Sequence, residues 1–125
     1  MPDPAPLLTA VDRLADRFRS MPQSRLAAPV PGHPSRAAAV LALARRLAEH
    51  AQAVEEQGTE TRRLPDAGPF ACGDQLAVAG HDLAAALADL PPDAPVTTQD
   101  GARSTAAGVL ADAVAAVGAT AELVA

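Results

Sequence analysis

The sequence predicts an all-α fold: a single-domain bundle over residues 1–125, with four principal helices joined by long Pro/Gly-rich connections. Three observations predict it. Apolar residues recur at helical spacing in four separate segments. Prolines and glycines gather between those segments. Apolar residues make up 49% of the 125, enough for one core, but aromatics make up only 2%. The core must therefore be Leu, Val and Ala. Such small side chains let helix backbones approach closely, and each contributes little contact area.

The first helix starts with Asp3 as N-cap and Pro4 at the first helical position, where a missing N–H costs nothing. Leu7, Val11, Leu14, Phe18 and Met21 then recur at alternating steps of four and three. That is one apolar stripe, with Asp12, Arg13, Asp16, Arg17 and Arg19 elsewhere on the cylinder. Pro22 ends the helix. Residues 22–34 hold Pro22, Pro29, Pro31, Pro34 and Gly32, and are expected to be an extended loop without helix.

Ser35 is the expected cap of the second helix. Its stripe is Val40, Leu43, Leu47, His50 and Val54, and Gly58 is its expected stop. Residues 59–73 read as a second loop. The third helix carries Leu76, Gly80, Leu83, Leu87 and Leu90 on one stripe, and Pro91-Pro92 terminates it. Residues 95–105 place Asp100-Gly101 between short β-tolerant flanks, the pattern of a small β-hairpin. Ser104 or Thr105 caps the fourth helix, which is apolar on most sides. It is therefore expected to sit centrally in the bundle or to form half of a dimer interface.

Charge and cysteine content exclude several classes. The formal net charge is −5. All ten basic residues are Arg, never more than two adjacent, as at Arg45-Arg46 and Arg62-Arg63. No basic stripe replaces phosphate counterions and few aromatics offer stacking, so no nucleic-acid partner is expected. Alanine fills about a quarter of the chain, and this Ala-rich, Lys-free usage is what a GC-rich coding sequence gives, a bacterial trait. Cys72 is alone, so no internal disulfide and no cysteine-based zinc site is expected. Met1-Pro2-Asp3-Pro4 has neither the basic nor the apolar region of a secretory signal. Asp112 and Glu122 interrupt the apolar C-terminal segment, so no membrane partner is expected. These readings lead to an expected cytoplasmic location.

Five residues are candidates for a ligand or metal: His50, His81, Asp82, Asp74 and His33. On the third helix Asp74 and His81 are seven residues apart on one flank, about 10 Å along the axis. A ligand could bridge them; the plain reading is a solvated face. His50 falls on an apolar stripe, as a general base facing the interior or as a core-edge histidine. His33 lies in a Pro-Gly-His-Pro loop. Cys72 precedes the third helix, where a helix N-terminus stabilises a thiolate; the plain reading is a structural thiol. No phosphate-binding glycine loop and no nucleophile elbow occurs.

The order His33, then His81-Asp82, then Asp100 or Asp112 is similar to the His…His-Asp…Asp pattern of HD-domain metal-dependent phosphohydrolases. That resemblance implies a metal held by His33, His81, Asp82 and the later Asp. Leu83-Ala84 stands where Gly-Lys often follows in that family, and the chain is short for that fold.

The expected function is a non-catalytic interaction or regulatory module with no cofactor, acting on a protein partner or by self-association. The alternative is an enzyme or small-ligand protein whose polar site lies between the second and third helices, lined by His50, His81, Asp82 and Asp74.

Overall fold

The structure is a computed structural model that describes residues 2–55 and 63–125. Gly58 and Arg62 lie outside the described residues. Four long helices carry the fold: α1 (Ala5–Arg19), α3 (Arg36–Glu55), α4 (Cys72–Ala88) and α5 (Ala106–Leu123). One helical turn, α2 (Gln23–Leu26), follows α1, and a 3₁₀ turn (Pro69–Ala71) precedes α4. Strands β1 (Pro95–Thr97) and β2 (Arg103–Thr105) form the only sheet among the described residues. The fold is all-α.

The helices start where local chemistry lets them. α1 starts one residue later than expected, with Pro4 rather than Asp3 at the N-cap, and Asp3 Oδ1 still accepts from Ala5 N at 3.0 Å, satisfying one free N–H of the helix. Ser35 Oγ accepts from Ala38 N at 3.0 Å, and Thr105 Oγ1 from Gly108 N at 3.0 Å. At the other end of α5, Arg36 Nε donates to Val124 O at 3.0 Å. Arg17 Nη1 donates to Ala121 O at 3.4 Å, so two cations sit against the negative pole of that helix.

The core is almost wholly Leu, Val and Ala. Leu7, Val11, Leu14, Phe18 and Met21 of the α1 stripe are all buried, with Val40, Leu43 and Leu47 of α3 and Leu76, Leu83 and Leu87 of α4. α1 and α3 each pack against both α4 and α5, while α4 and α5 barely touch. α4 packs closely on α1. A Cβ on Gly80 would stand 2.7 Å from both γ-carbons of Val11, and one on Gly73 would stand 3.1 Å from Ala15 O. Two glycines seven residues apart thus open a groove along α4 that receives α1. This close fit draws Gly73 into α4, whose start lies earlier than the expected loop boundary.

The hairpin forms at the expected place. Pro95 pairs with Thr105 and Thr97 with Arg103 in antiparallel register. Gly101 takes φ +85°, which a glycine tolerates without strain. Val96 points into the core and anchors the hairpin to it.

Two expectations need correction. Residues 22–34 are not wholly extended. The prolines at 22 and 29 leave a proline-free gap, and Pro22 stands at the N-cap of α2, where it obstructs nothing. α5 is not central either. Only Ala106, Val109, Ala113 and Val117 of its eighteen residues are buried. Its outward face of Ala107, Ala111, Ala115, Gly118 and Ala119 is exposed. Its mean hydropathy of 1.5 over eighteen residues makes it the one described helix long and apolar enough to cross a membrane. Ala and Gly, which carry high hydropathy on little area, explain why a helix with one buried stripe looks apolar all round.

Candidate functional site

A cleft of about 860 Å³ lies where α3, the N-terminal half of α5 and the hairpin meet. That is within the range of small-molecule sites. α3 supplies Arg45, Arg46, Glu49 and His50 at helical spacing along one edge. α5 supplies Asp112 two turns inside its capped N-terminus. The hairpin supplies Asp100 and Arg103, and Arg63 approaches from the segment before α4.

A three-residue polar network lines the cleft. Arg46 Nη2 donates to both carboxylate oxygens of Asp112, each at 2.9 Å. His50 Nε2 lies 3.1 Å from Asp112 Oδ2, and the His50 side chain is 13% exposed. Burial pushes the Asp112 carboxyl up, but the Arg46 guanidinium and then His50 outweigh it and hold the carboxyl below its ordinary 3.8. An ionised carboxylate only accepts hydrogen bonds, so Nε2 carries the proton. In the neutral imidazole, Nδ1 is then the bare nitrogen.

Asp100 is bound within its own turn. It accepts a short hydrogen bond from the Thr98 hydroxyl and one from Ala102 N at 3.1 Å. The Thr98 hydroxyl, the Ala102 amide and the nearby His50 hold its carboxyl below the ordinary value. Arg45 Nε donates to Leu64 O at 2.9 Å, which fixes its stem beside the segment that carries Arg63. Gln99 Nε2 donates to Glu49 O at 3.4 Å and ties the hairpin to α3.

The structure separates the five candidates. Only His50 lines this cleft. His81 Nε2 lies 2.9 Å from Asp12 Oδ1, on the outer side of α1 and α4, where both side chains are 53% exposed. Asp74 accepts from Arg19 Nε at 2.8 Å, and the same guanidinium reaches Asp16 at 2.7 Å. Asp82 borders a smaller depression of about 260 Å³ beside Gln52, Glu55 and Arg63. His33 sits in the tight Val30–His33 turn, bridged to Val30 by backbone hydrogen bonds, with Gly32 at φ +83°. The expected polar site between the second and third helices is therefore not assembled. α1 draws Asp74 and His81 to itself, and α5 draws His50.

The phosphohydrolase-like order meets the same obstacle. Among the described residues no three His, Cys, Asp or Glu side chains converge as a metal site. His33, His81 and Asp82 lie apart, and Asp112 is already taken by Arg46 and His50. The ligand set that the resemblance implies is therefore not brought together. No protein-family model, curated protein or solved structure matches the chain.

Cys72 is buried and its thiol donates to Pro69 O at 3.0 Å. Burial pushes this thiol up from 9.0, so the thiolate that a helix N-terminus would favour does not form at neutral pH. Sequence reading missed Arg46, Arg103 and the pairing of Asp112 with His50. The one available signal was a histidine on an apolar stripe together with a carboxylate in an Ala-rich helix.

Proposed function

We propose that this protein is a non-catalytic binding module whose recognition site is the cleft between α3, α5 and the hairpin. The observation that carries the reading is convergence. Three stretches distant in sequence, residues 42–50, Arg63 and residues 98–112, bring polar side chains to one concave surface, while the core beneath is almost wholly apolar Leu, Val and Ala. The His50–Asp112–Arg46 network holds its groups in fixed orientations, as a preorganised binding surface requires. The test is a ¹H–¹⁵N correlation spectrum of the whole chain titrated with neutral, cationic and anionic fragments. Shifts confined to residues 45–50, 98–104 and 108–112 support the reading. Shifts confined to the outer faces of α1 and α4 contradict it.

The same dyad would orient a general base. Turnover that His50→Ala abolishes while fragment binding persists would favour catalysis over binding alone.

A second reading, self-association, draws on the exposed small-residue face of α5, where Ala107, Ala111 and Ala115 repeat at one-turn spacing without a charge between them on that face. Light scattering coupled to gel filtration tests it. A dimer that Ala115→Arg converts to monomer supports it, and a monomer at high concentration contradicts it.

A further inference from the structure

We infer that the cleft takes a small ligand carrying two or more anionic groups, phosphate or carboxylate; the inference rests on the cleft being the binding site. The first argument is charge. The whole chain has ten basic and fifteen acidic side chains. The cleft gathers four of those arginines, Arg45, Arg46, Arg63 and Arg103, against three carboxylates, Glu49, Asp100 and Asp112. An acidic protein thus brings more cations than carboxylates to the border of this cleft.

The second argument is which charges are already satisfied. Asp112 is paired with Arg46 and hydrogen-bonded to His50, and Asp100 is held by Thr98 and Ala102 within its turn. Among the described residues, Arg45, Arg63 and Arg103 have no carboxylate partner. Arg45 spends only Nε, on the Leu64 carbonyl, and keeps its two terminal nitrogens. These three arginines come from α3, from the segment before α4 and from β2, so three separate stretches of the chain bring a cation to the border of the cleft. Guanidinium forks match the paired oxygens of carboxylate and phosphate. At about 860 Å³ the cleft has room for a ligand with two such groups.

Among the described residues, Glu49 is the one carboxylate of the cleft that no hydrogen bond or ion pair engages, and it stands on the α3 edge, one residue from His50. It disfavours an anion placed directly over it. The anionic groups therefore seat toward Arg45 and Arg63 at one side and Arg103 at the other.

The test is isothermal titration of the whole chain at low salt with sodium pyrophosphate and, separately, sodium citrate. Spermidine is the cationic control. Binding of pyrophosphate or citrate that weakens about tenfold in Arg103→Ala, and stays unchanged in Arg13→Ala on the exposed side of α1, supports the inference. Pyrophosphate alone identifies phosphate as the source, citrate alone carboxylate. Equal weakening in both variants overturns it, since a diffuse surface field would then explain the binding. Spermidine or neutral fragments entering the cleft while both anions fail also overturns it and leaves the binding reading intact. Failure of every fragment to reach the cleft overturns both.

Discussion

Asp112 and His50, sixty-two residues apart in sequence, are joined by a 3.1 Å contact between Oδ2 and Nε2, and Arg46 holds the same carboxylate at 2.9 Å. This joint ties α5 to α3 beside the cleft. Asp112→Ala leaves two donors unpaired in a partly exposed place. Urea denaturation should show a loss of about 1 kcal/mol, the scale of a solvent-discounted charged hydrogen bond. An unchanged midpoint would show that the joint contributes nothing to stability.

The same residue gives a pH dependence of known sign. Its folded carboxyl is held below the ordinary 3.8, so its contribution is full above that value and is lost as pH falls through the lower folded value. Asp112→Asn should therefore lose less stability than the native chain between about pH 5 and about pH 3. Parallel acid limbs for the two proteins would contradict the assignment.

Gly80→Ala tests the α1–α4 groove. The new methyl would meet both Val11 γ-carbons at 2.7 Å, inside any normal contact. Overpacking of this kind costs roughly 1–3 kcal/mol. In a Val11→Ala background the clash largely disappears, so the glycine substitution should cost clearly less there. Equal costs in both backgrounds would mean that the helices separate freely at this point.

His81→Ala probes the outer face. The residue and its partner Asp12 are each about half exposed, so the pair is screened by water. Thermal unfolding should place the variant within about 0.5 kcal/mol of the native chain. A loss of several kcal/mol would show that His81 holds α1 to α4.

Cys72 should resist thiol reagents. Its side chain is buried and protonated at neutral pH, so a disulfide-exchange dye should label the folded protein at least about tenfold more slowly than the urea-unfolded chain. Equal rates would show that the start of α4 opens readily.

The fold was legible where one short stretch of sequence decides the outcome. Ser35 and Thr105 cap the helices they precede, Asp100-Gly101 turns the hairpin, and the Leu7–Met21 stripe is buried along its length. The α2 turn was hidden because four prolines counted together obscure the open gap between 22 and 29. α5 misled because hydropathy credits exposed alanines as if they were core. The site was legible only through His50, whose place on an apolar stripe marked it as unusual. Its partners were not legible, because Asp112 and Arg103 reach it through the packing of α5 and the hairpin on α3. Asp74 and His81 share a helix flank as their spacing requires, yet Arg19 and Asp12 on α1 engage them separately.

The most direct test of the cleft is the long-range ¹H–¹⁵N spectrum of the three imidazoles during titration with sodium pyrophosphate. If the cleft is the binding site, the His50 ring resonances move in a saturable way while those of His33 and His81 stay fixed. Saturable movement of His81 with His50 unchanged would contradict it and return the search to the outer face of α1 and α4.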